Sequence, residues 1–403
     1  MKIQRTIPPA AAPVDLMSIL YGIAGLFIGK RYIKKIESEI KSYFGVNHVF
    51  LVSSGKAGLT LILQALKSLH PERNEVLIPA YTCFSVPSSI IKAGLKVSLC
   101  DIDPSTLDFN YELLEKSVSK KTLCIIPTHL FGIPSDVERI LNICKDKAIP
   151  VVEDAAQAMG GKYNGELLGT IGDVGFFSLG RGKNITCGSG GIVITNNEMI
   201  ADAIEKIYAT IECPSLQEEM IELCKVITMA CFIHPSLYWL PSGLRFLKLG
   251  ETIFYKEFPI KKLSGIHAGF LRDWQRRLEE SNKIRRENSE YFCSALASTL
   301  TFHNGACTPF LRLPFTTESK EIKERIYSFS KKEGLGINHM YPSPINEIEE
   351  IKNQFNGKTY PSAKSVSETL LTIPTHHLLS KKDKEIISCQ VLALCNQLSA
   401  VRS

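Results

Sequence analysis

The residues best suited to chemistry are an acid and a lysine in one glycine-rich stretch, residues 150–195. An apolar strand ends on Glu153 and Asp154, and Lys183 follows in a polar loop before the next apolar strand. Open α/β sheets bind their ligands at the carboxyl ends of strands, which is where this acid is placed. A lysine in a partly desolvated crevice can lose its proton near neutral pH and attack a carbonyl group.

This combination is typical of pyridoxal 5′-phosphate chemistry. The carboxylate of Asp154 can keep a pyridine nitrogen protonated, and the amine of Lys183 can form an imine with an aldehyde. An anion site is also indicated, because the strand His48–Val52 runs into small residues and then into the helix Leu59–Leu69. Free backbone N–H groups and the helix dipole attract phosphate at such a helix start. The glycine spacing and the residue after Lys56 exclude a Walker A loop.

The elements that position these groups alternate along the chain. Predicted strands are His48–Val52, Glu75–Pro79, Lys96–Asp101, Leu123–Pro127, Pro150–Asp154, Val174–Phe177 and Gly190–Thr195. Helical patterns lie between most of them, and strands that alternate with helices at this spacing form a mainly parallel sheet covered on both faces. We therefore predict a doubly wound α/β sheet of about seven strands.

The length of 403 residues predicts two lobes. We expect an N-terminal apolar segment at 1–30 and a large cofactor-binding α/β domain at 31–263, with a helical insertion at about 212–262. A smaller α+β domain is expected at 264–403, joined to the large domain by one long helix, Ser264–Leu296.

Composition limits the class of protein and its location. A hydrophobic content of 44% and a charged content of 22% are typical of a soluble globular protein. The net charge of +6 slightly favours anionic ligands and is too diffuse to indicate nucleic acid. Twelve cysteines without a C-x-x-C pair indicate free thiols in a reducing compartment, and no metal site is predicted. Without a signal-peptide pattern, a cytoplasmic location is expected.

Two apolar segments leave a second interpretation of location open. Leu16–Gly29 is uncharged but short for a bilayer span, and Val226–Leu244 is uncharged but interrupted by prolines. Buried or dimer-facing helices are one interpretation. The other is a patch that rests on the inner face of the membrane, with Lys30 and Arg31 beside the first segment.

Several motifs together resemble one known family. They are SSGKAGL (53–59), PAYTCFSV (79–86), THLFG (128–132), EDAAQAMGGKYNGELLG (153–169), GDVGFFSLGRGKN (172–184), GSGG (188–191), LSGIHAGFLRDWQRRLEE (263–280) and MYPSPI (340–345). From about Gly29 onward the chain resembles the DegT/DnrJ/EryC1/StrS sugar aminotransferases, which are fold-type I enzymes that use pyridoxal 5′-phosphate. The resemblance implies that fold, and a homodimer with active sites at the interface.

The resemblance also implies the catalytic roles. Lys183 forms the imine bond to the cofactor and then moves a proton between the substrate and cofactor carbons. Asp154 pairs with the pyridinium nitrogen. Gln157 is expected one turn into the helix after the strand, where it contacts the cofactor ring or its 3′-oxygen.

Other matching residues have binding roles by the same resemblance. Ser178 and the backbone N–H groups of Gly55 and Lys56 hold the phosphate, and Cys83 lies beside the cofactor. His129 either lines the pocket or is a core histidine with its hydrogen bonds satisfied, and the sequence leaves both possibilities open.

The chain departs from the family pattern at three positions. Lys56 stands where threonine is usual, which removes a hydroxyl and adds a cation. Cys83 stands where an aromatic residue commonly stacks on the cofactor, a role that Tyr81 or Phe84 could take over. Ser189 changes the usual GEGG or GDGG to GSGG. The region after the last large-domain strand is enlarged and lacks the family's Asn-x-Arg segment, so the departures concern substrate recognition more than the core chemistry.

A transaminase is the function predicted. Related dehydratases carry histidine in place of the lysine, whereas Lys183 is present here. Glutamate or another amino acid would donate the amine to a nucleotide-linked keto-sugar, for polysaccharide or glycoside biosynthesis. One alternative is a pyridoxal phosphate enzyme acting on a non-sugar ketone, such as a cyclitol. The other is a catalytically silent regulatory or scaffold homologue, suggested by Lys56, Cys83 and Ser189.

Overall fold

The structure is a computed structural model that describes residues 4–247, 249–297, 301–302, 309–355 and 357–399. Its strands are β1 His48–Val52, β2 Glu75–Pro79, β3 Lys96–Cys100, β4 Thr122–Ile125, β5 Val152–Asp154, β6 Lys162–Tyr163, β7 Glu166–Leu167, β8 Val174–Ser178, β9 Gly191–Thr195, β10 Thr301–Phe302, β11 Arg312–Thr316 and β12 Leu370–Pro374. Its α-helices are α1 Leu16–Phe44, α2 Gly55–Leu69, α3 Ser85–Lys92, α4 Tyr111–Ser117, α5 Val137–Cys144, α6 Glu198–Thr210, α7 Leu216–Phe232, α8 Trp239–Gly243, α9 Gly265–Phe270, α10 Trp274–Leu296, α11 Lys320–Glu333, α12 Pro361–Thr369 and α13 Lys381–Ser399.

A central sheet of seven strands has the order β3-β2-β4-β5-β8-β9-β1. Strand β2 pairs in parallel with β3 and β4, and β5 pairs in parallel with β8. Single parallel bridges, Ile125 to Val151 and Thr128 to Asp154, join β4 to β5. Strand β9 is antiparallel to both β8 and β1. The prediction of a mainly parallel, seven-stranded α/β sheet is therefore confirmed.

Both faces of this sheet are covered, as alternating side chains require. Val76 and Ile78 of β2 belong to the core cluster that includes α2 and α3. Leu77, between them in sequence, belongs to the cluster that includes Leu114 of α4 and Val137 of α5. The sheet, with the carboxyl ends of its strands, is thus held between two packed layers.

The C-terminal part of the chain builds a second sheet of three antiparallel strands, β10-β11-β12, with helices α11 to α13. The single long helix expected at Ser264–Leu296 is wrong. Helices α9 and α10 are separate, because Asp273 adopts a left-handed conformation with φ of 61° between them. The expected domain boundaries at residues 30 and 263 remain predictions.

Helix α1 joins the first apolar segment to the amphipathic helix that follows it. A slight kink at Ile28, with φ −121° and ψ 21°, marks the junction. One face of α1 packs on α9 through glycines, so closely that a Cβ on Gly25 would lie 2.2 Å from the carbonyl oxygen of Gly265. The opposite face carries exposed apolar side chains, including Phe27 at 84% exposure.

Both apolar segments have defined positions in the structure. Among the described residues, α1 alone is long and apolar enough to cross a membrane by length and composition, and 28% of its most apolar window is buried inside the protein. The run Val226–Leu244 is divided between the end of α7 and the short helix α8, and Val226 is 1% exposed. The ten cysteines whose side chains the structure describes are all free.

Gly25→Ala is expected to destabilise the protein by about 1–3 kcal/mol, because the added methyl group would overpack the α1–α9 contact. Helix propensity alone predicts the opposite sign, a gain of about 1 kcal/mol. Urea unfolding measures the difference, with Ser38→Ala on the exposed face of α1 as the control. A Gly25→Ala variant more stable than wild type would contradict the close packing of the two helices.

Candidate active site

The acid at the end of β5 is buried and has one free oxygen. Asp154 is 5% exposed, and its Oδ1 accepts a hydrogen bond of 3.1 Å from the Ala156 N–H. No hydrogen bond to Oδ2 occurs within the described part of the chain. Burial raises the pKa of Asp154, while the Ala156 N–H and the charge of Lys183 act in the opposite direction. The carboxylate can therefore accept a cationic N–H from the crevice.

The lysine lies in the loop between β8 and β9. Burial lowers the pKa of Lys183 below its ordinary value, while Cys83 and Asp154 raise it and the charge of Arg312 lowers it further. The Lys183 amine makes no hydrogen bond to any described residue. Strand β5, which ends at Asp154, pairs in parallel with β8, and the loop of Lys183 follows β8, so the two groups lie at the same edge of the sheet. The charge of each also affects the pKa of the other.

Helix α10 fixes the backbone of the lysine loop. Arg285 is fully buried and donates to the carbonyl oxygens of Lys183 at 3.3 Å, Leu311 at 2.8 Å and Ala11 at 2.7 Å. Ser281 donates to the Asn184 carbonyl oxygen at 2.8 Å. Arg285 thus connects the catalytic loop, the segment before β11 and the N-terminal segment. This residue could not be identified from the sequence, because α10 has the composition of an exposed charged helix.

Arg285→Met should lower the free energy of unfolding by at least about 3 kcal/mol, because the carbonyl oxygens of Ala11 and Lys183 would lose their donor. The Leu311 carbonyl oxygen would keep only the Thr375 hydroxyl. Arg286→Met is the matched control, since Arg286 is exposed on the same helix. The control should change stability by less than about 0.5 kcal/mol. Urea unfolding of both variants makes the comparison, and equal stability of the two would contradict the anchoring role of Arg285.

A phosphate-sized anion fits the start of α2. Ser54 caps the helix by accepting from the Ala57 N–H at 3.1 Å, which leaves the N–H groups of Gly55 and Lys56 without a hydrogen-bond partner among the residues described. Ser178, at the end of β8, lies against this turn, because a Cβ on Gly55 would be 2.9 Å from the Ser178 Cβ. The predicted grouping of these three residues is therefore present in the structure.

The side chain of Lys56 has aromatic neighbours. Its Nζ lies 4.6 Å from the ring centres of both Tyr255 and Phe258. Burial lowers the pKa of Lys56, and Cys83 acts in the opposite direction. The cation that replaces the family's threonine is thus held in a partly buried aromatic pocket, and its contact with a phosphate remains a prediction.

Gln157 lies in a turn, and the helix expected around it is wrong. Residues 155–160 form turns, because the Asp154 side chain binds the Ala156 N–H and Gly160 has φ of 77°. Gln157 is 5% exposed, and its Nε2 donates to the Tyr341 hydroxyl at 2.8 Å. Tyr341 was missed as a site residue, although it lies in the MYPSPI motif.

Cys83 is partly buried in the same region. Cys83 raises the pKa values of three side chains at this site, those of Lys183, Lys56 and Tyr341. Tyr81 is 1% exposed and packs edge-to-face on Tyr341, with ring centres 5.6 Å apart. Tyr341 is therefore a further aromatic side chain at this site, beside the positions considered from sequence.

His129 is a satisfied core histidine. It is fully buried, its Nδ1 accepts from the Ser135 N–H at 3.1 Å, and its Nε2 lies 2.9 Å from Glu153 Oε2. Since Nδ1 is an acceptor, the proton is on Nε2 and is donated to Glu153. Glu153 also accepts from the N–H groups of Gly169, Ile171 and Gly172. This pair fixes the turn beside Asp154.

Ser189, the third departure, has a structural contact. Its hydroxyl donates to the Ser53 carbonyl oxygen at 2.7 Å, which ties the loop after Lys183 to the turn before α2. Ser189 therefore connects the lysine loop to the start of α2, and it does so without the acidic side chain that is usual in the family.

The residues present fit pyridoxal 5′-phosphate. The α2 N-terminus with Ser178 suits a phosphate, the free Asp154 oxygen suits a pyridinium N–H, and the Lys183 amine with a lowered pKa suits an aldehyde. Gly55 leaves room where a side chain would meet Ser178. Each of these groups is an observation of this chain, independent of its relatives.

Comparisons with known proteins agree with this site. The model of the DegT/DnrJ/EryC1/StrS aminotransferase family matches residues 24–217 and 259–391. An uncharacterised protein of Methanocaldococcus jannaschii is 39% identical over 356 residues, which are 87% of this chain and 86% of that protein. The GDP-perosamine synthase of Escherichia coli O157:H7 is 35% identical over 171 residues, 42% of this chain and 46% of that enzyme.

A solved structure shows the same fold. The Helicobacter pylori aminotransferase PseC, involved in the biosynthesis of pseudoaminic acid, has a TM-score of 0.78 at 16% identity. The match covers 97% of this chain and 100% of that one. The family model covers most of the sequence, including Asp154, Ser178 and Lys183. The chain therefore belongs to the DegT/DnrJ/EryC1/StrS aminotransferase family, and it is an aminotransferase that depends on pyridoxal 5′-phosphate.

Proposed function

We propose that this chain transfers an amino group from an amino acid, glutamate being the first candidate, to the carbonyl of a keto-sugar carried on a phosphate. Nucleotide-linked sugars are the carrier class suggested by the GDP-perosamine synthase relative. The observation that carries the proposal is the placement of Lys183 and Asp154 at one edge of the paired strands β5 and β8, beside a helix start whose free N–H groups suit a phosphate.

Pyridoxal phosphate, when bound, supplies an aldehyde and a ring that withdraws electrons from the reacting carbon. Asp154 holds the ring nitrogen protonated and so maintains that withdrawal. Lys183, whose pKa burial lowers, takes a proton from the substrate carbon and returns it to the cofactor side in one half-reaction. Lys183 moves the proton in the opposite direction when the sugar is aminated. Ser178 and the α2 N–H groups keep the phosphate end fixed during both halves.

The experiment is a two-step absorbance measurement on the purified holoenzyme. Glutamate should remove the yellow absorbance of the bound cofactor, and a keto-sugar substrate should restore it. The acceptor panel contains nucleotide-linked 4-keto-sugars and, as the non-sugar arm, a cyclitol ketone. No loss of absorbance with any amino donor would favour the silent homologue, and recovery with the cyclitol alone would replace the sugar proposal.

The exposed apolar face of α1 suggests assembly. We propose that a second copy of the chain covers this face, in a homodimer of a cytoplasmic enzyme, and that contact with a membrane is the competing arrangement. Sedimentation should give twice the chain mass, and flotation with anionic vesicles should leave the protein in the soluble fraction. A monomer that floats with the vesicles would favour the membrane arrangement instead.

A further inference from the structure

A large cavity adjoins the catalytic loop. Its volume is about 870 Å³, near the upper end of the range for small-molecule sites, roughly 300–1,000 Å³. It lies between the N-terminal segment at Ala10, the lysine loop at Gly182 and helix α7. Arg312 of β11 lines its wall, and the charge of Arg312 acts on Lys183. The cavity therefore adjoins the lysine loop and reaches the region beside α7.

Most of the cavity wall is apolar. Met229, Phe232 and Leu249 are among its lining side chains. Part of its rim is also exposed to solvent, with Met220 at 43% and Leu247 at 42%. A ribose and a nucleobase carry many polar groups, and such a wall would leave most of them without hydrogen-bond partners. The surface is better suited to an aliphatic chain.

The charged side chains of the cavity all have one sign. They are Arg181, Lys225 and Arg312, and none of the lining residues that the structure describes is acidic. Arg312 has no hydrogen bond or ion pair with any described side chain. Arg312 is partly buried, and this burial lowers its pKa to about 10. An anionic ligand group in the cavity would stabilise its charged form.

Arg312 and Arg181 line the same cavity as Tyr238. The charges of both lower the pKa of Tyr238, against the raising effect of burial. Arg181 and Gly182, which also lines the cavity, directly precede Lys183 in the chain, so the cationic part of the wall adjoins the lysine loop. A ligand anion bound there would leave the apolar wall for the rest of the ligand.

Part of the apolar wall lies outside the family match. The family model leaves residues 218–258 unmatched, and this gap contains most of α7, Tyr238 and the exposed rim residues. The part of the cavity beside α7 is therefore formed by residues that the family model does not describe.

We propose that the acceptor is a keto-sugar joined through phosphate to an apolar chain, with the phosphate on Arg312 and Arg181 and the chain in the cavity beside α7. This inference rests on the proposed amination of a keto-sugar and names its carrier: an aliphatic alcohol takes the place of the nucleoside. The amine transfer itself is unchanged.

Calorimetric titration of the holoenzyme with simple phosphates tests the carrier. Decyl phosphate, used below its micelle concentration, is compared with ethyl phosphate and with uridine diphosphate. We expect decyl phosphate to bind at least about tenfold more tightly than either of the others, because only it can fill the apolar wall. Equal or tighter binding of uridine diphosphate, or affinity independent of chain length, would overturn the proposal. If decyl phosphate does not bind because a second copy of the chain fills the cavity, the proposal is also overturned.

Two variants separate the anion position from the apolar wall. Arg312→Gln should weaken decyl phosphate about tenfold, whereas Arg276→Gln on the exposed face of α10 should leave its affinity unchanged. Thr228→Trp, which fills the cavity from α7, should weaken decyl phosphate and leave ethyl phosphate unaffected. If Arg312→Gln does not fold, Thr228→Trp decides alone, and unchanged binding of decyl phosphate to it would refute the cavity assignment.

The result can be distinguished from failure of the proposed function. Loss of the yellow absorbance with glutamate requires Lys183 and Asp154 and does not require the cavity. A holoenzyme that binds decyl phosphate as expected but does not react with any amino donor would refute the aminotransfer and retain the binding site. A holoenzyme that reacts with glutamate but binds only uridine diphosphate would refute the apolar carrier alone.

Discussion

Lys183→Ala is expected to slow amine transfer from glutamate to the bound cofactor by at least about 10⁴-fold, the upper end of the range for a positioned acid–base group. Among the described lysines, Lys183 is the one that affects the pKa of Asp154. Stopped-flow loss of the cofactor absorbance measures the rate. Lys162→Ala, in the exposed β6–β7 hairpin, is the control and should keep the wild-type rate.

The stability of Lys183→Ala separates catalysis from folding. Since the Lys183 amine makes no hydrogen bond to a described residue and burial lowers its pKa, its removal should leave the melting temperature unchanged or slightly raised. A variant that is folded and inactive would agree with the catalytic role. Transfer within about tenfold of wild type would contradict it.

Asp154→Asn is expected to reduce the same rate by about 10²–10⁴-fold. The amide can still accept the Ala156 N–H, so the turn should persist, but a neutral group cannot hold a ring nitrogen in its protonated form. Single-turnover reaction with glutamate measures the loss. The control is Asp146→Asn, at an exposed position before β5, which should react at the wild-type rate.

The same substitution should change the titration of the lysine. The Asp154 carboxylate raises the pKa of Lys183 against the lowering effect of burial. Without that charge the pKa should fall further, so the apoenzyme's lysine becomes reactive at lower pH than in wild type. Competitive labelling of the Lys183 amine across pH measures this shift. A shift toward higher pH would show that the two groups do not interact as the structure indicates.

The large sheet and its ligand edge could be predicted from sequence because their signals are local. Strands such as β1 and β2 are short apolar runs between turn residues, and their alternation with helices determines a parallel sheet. Asp154 and Lys183 are each recognisable from the strand end or glycine-rich loop that holds them. Their proximity then follows from the pairing of β5 with β8.

The remaining site residues could not be predicted in the same way, because their roles depend on contacts distant in sequence. Arg285 is about a hundred positions from the loop it anchors, and its helix has a mostly polar composition. Arg312 is one residue of an apolar strand, and only the folded chain shows that none of the described acidic residues pairs with it. The sequence predicts a helix at Gln157. The hydrogen bond between the Asp154 side chain and the Ala156 N–H favours a turn instead, and such a bond leaves no periodic pattern in the sequence.

The most direct test of the central claim is to identify which lysine carries the cofactor. Two lysines in the site, Lys183 and Lys56, have pKa values lowered by burial, so both are chemically capable of the role. Borohydride reduction of the holoenzyme, followed by peptide mapping by mass spectrometry, fixes the cofactor on the amine that holds it. We predict the modification on Lys183 alone; modification of Lys56, or of neither lysine, would contradict the assignment of Lys183 and Asp154 to opposite ends of the cofactor.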